Sequence, residues 1–119
     1  MEEPIEPKSR EELESLLPKL IHEFHEQATE SRKLSRQALK KDLTRAAVYS
    51  LQGMIQSFAG LNSVLLYLAL TLPETRMSPE RESIQKLRQE IYGDFTQLMF
   101  EVRQTQRKRG SKDYDPSVA

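Results

Sequence analysis

The chain has no cysteine, no tryptophan and only two histidines among 119 residues. The missing cysteine excludes disulfides, thiolate metal sites and cysteine nucleophiles. The histidines, His22 and His25, are three residues apart with Glu26 beside them, whereas the HExxH zinc motif needs a spacing of four. Because zinc needs three or four ligands, we expect neither a metal site nor a cofactor.

Glycine and aromatic residues are also scarce: four glycines, four phenylalanines and four tyrosines. No glycine-rich loop that could hold a phosphate is present, and no serine, histidine and acid form a recognisable catalytic set. We therefore expect a non-catalytic protein. The acidic, polar N-terminus resembles neither a secretory signal nor a transit peptide, so the expected location is the cytoplasm.

No alternating apolar pattern of the kind found in strands is present, and the apolar residues recur at helical steps of three and four. A first helix follows a capping box at Ser9 and Glu12, and it can be kinked or broken at Pro18 or near Thr29–Ser31. Its second half, from Gln27 to Lys41, carries few large apolar residues and is expected to be poorly buried.

A second helix is predicted to begin with Asp42 as its N-cap and to end before Pro73. A single long helix through both segments is an open alternative. The third helix has Ser78 as its N-cap and Pro79 at its first position, and it ends at Gly110.

These patterns predict an all-α fold, an antiparallel up-down-up helical bundle of three long helices, or four if the first is broken. The bundle domain spans 9–110, between a flexible acidic N-terminus at 1–8 and a flexible C-terminal tail at 111–119. Short connections between helices of similar length favour antiparallel neighbours.

The second predicted helix carries a seam of small residues at steps of four and three. Glycine inside a helix costs about 1 kcal/mol relative to alanine, so two glycines in the seam suggest a close approach of another helix. That helix belongs either to the same chain, with Phe24, Phe95, Met99 or Phe100 filling the seam, or to a second copy. The seam residues, which are the predicted interface, are Ala46, Ser50, Gly53, Ser57 and Gly60.

The same helix has no charged residue from 46 to 72, a run long enough to cross a bilayer. Polar residues such as Gln52, Gln56 and Asn62 interrupt the run, and the flanking helices offer apolar stripes that need a central partner. A buried central helix is therefore favoured over a membrane span, and no membrane or small-molecule partner is expected.

The net charge is zero, yet the charges are segregated. Residues 31–45 carry six bases and one acid, and residues 103–119 carry five bases and two acids. In an up-down-up bundle both segments lie at one end, which we call the basic pole. The candidate nucleic-acid-binding residues of this pole are Arg32, Lys33, Arg36, Lys40, Lys41, Arg45, Arg103, Arg107, Lys108 and Arg109.

Such a pole favours phosphate-backbone contacts with RNA or DNA, because no aromatic residue for base stacking lies within 32–45 or 103–112. The predicted function is therefore a binding or adaptor subunit that contacts nucleic-acid backbone in a larger assembly. The alternative is a homo-oligomeric or protein-partner scaffold that uses the small-residue seam, with an acidic protein as the partner of the pole. Basic residues in the last turns of helices also complement the helix dipole, which explains part of the charge without any ligand.

Overall fold

A computed structural model describes residues 10–71 and 79–113. Four α-helices account for most of this part of the chain: α1 (Arg10–Lys40), α2 (Thr44–Tyr49), α3 (Gln52–Thr71) and α4 (Pro79–Arg109). No strand occurs among the described residues, so the all-α prediction is confirmed. Since only Ser50 and Leu51 separate α2 from α3, these two form one interrupted unit, and the described residues form three helical units.

Helix α1 is continuous through both positions at which a break was expected. Pro18 lies inside it with an exposed side chain, and Thr29–Ser31 remains helical. The expectation of poor burial in its second half is wrong. Ala28, Ser31 and Ser35 are buried there, because small side chains permit close contact without a stripe of large ones.

Residues 41–43 form the turn that ends α1. Asp42 has a φ of 57°, in the left-handed region, and the N–H groups of Asp42 and Leu43 donate to the carbonyls of Leu39 and Ala38. This bonding pattern is a Schellman motif, which satisfies the last carbonyls of a helix. Asp42 therefore terminates α1, and its prediction as the N-cap of the second helix is wrong, as is the alternative of one uninterrupted helix. Helix α2 begins at Thr44, and Leu43 at its N-cap position offers no capping side chain.

The interruption at Ser50 and Leu51 was not predicted. The hydroxyl of Ser31, from α1, donates to the carbonyl of Ser50 and accepts the N–H of Met54 at 3.2 Å. A side chain inserted into the helical hydrogen-bond ladder interrupts the ladder at that point. The second helical unit is thus divided by a residue from the first.

Contacts between the units follow a regular order along the chain. Phe24 of α1 lies against Gly60 of α3, whereas Ser35, further along α1, donates to the carbonyl of Ala47 at 2.9 Å in α2. Contacts between α1 and α4 advance in the same direction along both helices. Arg32 lies 2.9 Å from Asp94, and Arg36, further along α1, lies 3.4 Å from Glu101, further along α4. The buried core comprises mainly Leu17, Leu39, Leu51, Met54, Leu61, Leu68, Ile84, Leu87, Ile91, Leu98 and Val102.

Helices α2 and α3 together, Thr44–Leu70, are long and apolar enough to cross a membrane when judged by length and composition alone. Central helices of water-soluble proteins meet the same criterion, and this one contacts both α1 and α4. Only 28% of its most apolar window is buried, however, so much of its apolar surface faces outward.

Several sequence-based expectations lie outside the described residues. These are the cap at Ser9, the helix end at Pro73, the cap at Ser78, the flexible segment at 1–8, and residues 114–119 of the flexible tail predicted at 111–119.

Candidate functional site

A groove runs between the C-terminal halves of α1 and α4. It has a volume of about 460 Å³, and positively charged side chains from both basic segments of the sequence line it. We call it the basic groove. Its lining residues are Arg36, Leu39 and Lys40 from α1 and Glu101, Gln104, Thr105, Lys108 and Arg109 from α4.

Side chains from 36–40 and from 101–109, more than sixty positions apart, therefore line a single concave surface. Among the ten candidate residues, Arg36, Lys40, Lys108 and Arg109 line this groove. The other six do not line it, and these are Arg32, Lys33, Lys41, Arg45, Arg103 and Arg107. That any of the ten contacts nucleic acid stays a prediction.

Internal ion pairs engage three of the candidate arginines. Arg32 pairs with Asp94, Arg36 with Glu101, and Arg109 Nε lies 2.9 Å from Asp42 Oδ1. These pairs are partly solvent-exposed, and such pairs stabilise a fold by about 0–1 kcal/mol. A polyanion could therefore compete for these arginines at little energetic cost.

The remaining charge of the pole faces solvent. Within 10–71 and 79–113, six of the candidate residues are exposed and form no ion pair: Lys33, Lys40, Lys41, Arg103, Arg107 and Lys108. Segments 31–45 and 101–113 together contain eleven bases and three acids. Each of these acids contacts the pole itself: Asp42 and Glu101 in ion pairs and Asp113 at the start of α2.

Sequence reasoning missed Glu101, which lies inside the basic groove. One of its carboxylate oxygens, Oε2, is buried and has no hydrogen-bond partner within the part of the chain that the structure describes. Its spacing of four and seven residues from Thr105 and Lys108 places all three on one face of α4, a signal that was available in the sequence.

Residues 111–113, which the sequence assigns to the tail, hydrogen-bond to the start of α2. The two carboxylate oxygens of Asp113 accept the backbone N–H groups of Arg45 at 2.9 Å and Ala46 at 2.7 Å. These donors are ones that an N-cap side chain normally satisfies, and Leu43 cannot do so. Asp113 thus caps α2 from a distant part of the chain.

Further contacts hold the same segment in place. The Thr44 hydroxyl donates to Ser111 Oγ, which donates in turn to Asp113 Oδ1 at 2.8 Å. The backbone N–H of Lys112 donates to the carbonyl of Asp42 at 2.9 Å. The C-terminal end of α4 is thereby fastened to the turn that ends α1, which fixes the distance between the two sides of the basic pole.

The hydrogen bonds also alter the acidity of Asp113. Partial burial raises the pKa of its carboxyl, but the N–H groups of Arg45 and Ala46 and the Ser111 hydroxyl outweigh that effect. The net result is a pKa below the ordinary value, so Asp113 is ionised at neutral pH.

The small-residue seam lies against α1. A Cβ built on Gly60 would lie 2.5 Å from the Phe24 ring, and one on Gly53 would lie 2.9 Å from Ser31 Cβ. Ser57 is fully buried, and its hydroxyl donates to the side chain of Gln27 at 3.0 Å. These contacts match internal packing, with Phe24 as the large residue that fills the seam. Association of a second copy through this face stays a prediction, and in the monomer α1 occupies the face.

His22 Nε2 lies 3.2 Å from Glu26 on the surface of α1. No group of three or more potential metal ligands occurs among residues 10–71 and 79–113.

Comparison of the chain with protein-family models, with curated proteins and with solved structures finds no match.

Proposed function

We propose that this protein is a non-catalytic subunit that binds the phosphate backbone of RNA or DNA through the basic groove and the cations around it. The observation that carries the proposal is the groove between α1 and α4, which is lined by Arg36, Lys40, Lys108 and Arg109 from two distant basic segments. The proposed architecture is an up-down-up bundle, and the order of the contacts along α1, α3 and α4 supports it.

The chemistry of the groove favours phosphate over an uncharged ligand. Lys40 and Lys108 are exposed and free of ion pairs within the described residues, so their ammonium groups are available to an anion. The partly exposed arginine pairs can exchange a carboxylate for a phosphate, which guanidinium also binds with two hydrogen bonds. The Gln104 amide and the Thr105 hydroxyl add uncharged hydrogen-bonding groups along the same wall.

The absence of aromatic residues from 32–45 and 103–112 argues for backbone contact without base stacking. We therefore expect similar affinity for duplexes of different sequence. We also expect affinity to fall with rising salt, because each neutralised phosphate releases counterions.

A fluorescence anisotropy titration across a salt series tests the proposal. The test variant is Lys40→Glu/Lys108→Glu, and the matched control is Lys19→Glu/Lys86→Glu, which makes the same charge change at exposed lysines outside the groove. Wild type and control should bind a labelled duplex with similar affinity, and the groove variant should bind at least about tenfold more weakly.

Two results would contradict the proposal. One is the absence of duplex and structured-RNA binding at low salt, and the other is equal weakening by the two variants. If poly-glutamate competes as well as nucleic acid of equal charge, an acidic protein replaces nucleic acid as the favoured partner.

A further inference from the structure

Residues 111–113 cross from the end of α4 to the turn that ends α1, and we call them the strap. Gly110, with a φ of 72°, turns the chain after α4, and the Lys112 N–H then donates to the Asp42 carbonyl at 2.9 Å. Asp113 completes the crossing, since its two carboxylate oxygens accept N–H groups from the first turn of α2. A segment that follows the last helix of a domain is usually poorly ordered unless contacts of this kind fix it.

The strap joins the two helix ends that form the walls of the basic groove. Lys40 is the last residue of α1, and Lys108 and Arg109 are the last two residues of α4. All three cations line the groove. The distance between the strapped helix ends therefore sets the distance between the cations on the two walls.

The end of α4 has no apolar residue with which to pack onto the core. Val102 is the last core residue of this helix, and residues 103–109 are all polar or charged. Lys108 therefore lies about 9 Å beyond Val102 along the helix axis. On α1, by contrast, the core residue Leu39 directly precedes Lys40. The position of Lys108 relative to Lys40 thus depends largely on polar contacts.

Those polar contacts converge on the turn after α1 and the start of α2. The Arg109 Nε lies 2.9 Å from Asp42 Oδ1, but the arginine is largely exposed, and such a pair contributes little by itself. The strap adds the hydrogen bonds of Ser111, Lys112 and Asp113 to the same region. Asp113 makes the largest share of them, because it also accepts the Ser111 hydroxyl.

We infer that the strap holds the basic groove in its binding geometry and that Asp113 is the positioning residue; this inference rests on the proposed function. A groove whose walls are already in place binds without the cost of ordering them. When only a fraction of the molecules has the walls in place, the apparent affinity falls by that fraction. Asp113 does not line the groove, so it acts through the helix ends and not through contact with nucleic acid.

The negative charge of Asp113 separates this inference from simple electrostatics. Asp113 is one of three acids in segments 31–45 and 101–113, and its carboxylate opposes the attraction of the surrounding bases for a polyanion. Charge alone predicts that its removal strengthens binding, whereas positioning predicts that loss of its hydrogen bonds weakens binding. Asp113→Ala and Asp113→Asn make the same charge change, but only asparagine retains an oxygen that can accept an N–H at the helix start.

Fluorescence anisotropy with a labelled duplex compares both variants with wild type at one salt concentration. Asp113→Asn should bind at least as tightly as wild type, because it keeps an acceptor and loses a negative charge. Asp113→Ala should bind at least about threefold more weakly than Asp113→Asn. Urea unfolding at the assay temperature establishes that each variant is folded, so that a loss of binding is not a loss of fold.

A distance measurement tests the position of the helix ends without nucleic acid. Because the chain has no cysteine, nitroxide labels attach only at Lys33→Cys on α1 and Arg107→Cys on α4. Both positions are exposed and outside the groove lining. Double electron–electron resonance should give a narrow distance distribution for the labelled chain with Asp113 or with Asp113→Asn, and a broader one with Asp113→Ala.

Two results would overturn the inference while wild type still binds duplex and the proposed function stands. One is equal affinity of Asp113→Ala and Asp113→Asn, and the other is an equally narrow distance distribution in both. Wild type that binds no duplex at low salt contradicts the proposed function instead, and the role of Asp113 in binding falls with it.

Discussion

Gly60 lies directly over the ring of Phe24, so closely that an added Cβ would be 2.5 Å from Phe24 Cε1. This contact explains why α3 has a glycine at position 60, inside the helix, where alanine is more favourable by about 1 kcal/mol. The glycine lets α1 place an aromatic ring against the backbone of α3. Gly53 provides the same access for Ser31.

Gly60→Ala should lower the free energy of unfolding by about 1 kcal/mol, because overpacking of about 1–3 kcal/mol exceeds the gain in helix propensity. Gly93→Ala is the matched control. Gly93 lies inside α4 with no atom within 4 Å of an added Cβ, so alanine there should stabilise the protein by about 1 kcal/mol. Urea unfolding monitored by circular dichroism measures both changes.

Measuring Gly60→Ala in a Phe24→Leu protein shows whether its effect comes from a clash with the Phe24 ring. Without the ring, Gly60→Ala should become neutral or stabilising. If Gly60→Ala stabilises the wild-type protein as much as Gly93→Ala does, the close packing of Phe24 on Gly60 is wrong.

Ser31→Ala should destabilise the protein by about 1–2 kcal/mol, because it leaves the Ser50 carbonyl and the Met54 N–H without the hydroxyl that joins them. Ser63→Ala is the control, since that exposed serine only donates to the carbonyl of Ala59 in its own helix. Alanine at Ser63 should be neutral or stabilising by about 0.5 kcal/mol. Equal effects of the two substitutions in thermal or urea unfolding would remove Ser31 as the cause of the interruption between α2 and α3.

The helices were predictable from local signals, whereas the contacts that shape their ends were not. Pro79 at the start of α4 and Gly110 after its last residue are short-range signals, and the structure follows both. Asp42 has the chemistry of an N-cap, yet it adopts a left-handed conformation at the end of α1, and its carboxylate pairs with Arg109. A pairing between residues sixty-seven positions apart has no local signature.

The same distinction holds for the candidate site. The two basic segments are visible in the sequence, so the cations of the groove, such as Lys40 and Lys108, could be named in advance. The cap that Asp113 provides for α2 could not, because its partners Arg45 and Ala46 are more than sixty residues away. The polar burial of Ser31 and Ser35 was missed for a related reason: their partners, Ser50 and Ala47, belong to the second helical unit rather than to α1.

Asp113→Ala should destabilise the protein by about 1 kcal/mol at neutral pH, the usual cost of removing an N-cap side chain. The pKa of Asp113 is lowered in the folded state, so its carboxylate stabilises folding fully above its ordinary, unfolded pKa. This contribution disappears as the pH falls through the lower, folded pKa. The difference in unfolding free energy between wild type and Asp113→Ala should therefore shrink in acid.

Urea unfolding at a series of pH values checks this dependence. Glu90→Gln, at an exposed carboxylate in α4, is the control and should show no comparable loss of stability at neutral pH. A difference between wild type and Asp113→Ala that stays constant from neutral pH to strong acid would mean that the charge of Asp113 does not contribute to capping.

Glu101→Gln should strengthen nucleic-acid binding, because it removes a negative charge from the basic groove. The lysine variants should weaken binding. The substitution releases Arg36 from its 3.4 Å ion pair and removes the charge from a partly buried carboxylate. If the groove binds phosphate, affinity for duplex should rise about two- to fivefold, the equivalent of about 0.4–1 kcal/mol for a partly exposed pair. Glu90→Gln makes the same change on α4 about 16 Å away along the helix and should leave affinity nearly unchanged. Anisotropy titrations at one salt concentration compare the two variants, and equal affinities for both would place the bound polyanion somewhere other than this groove.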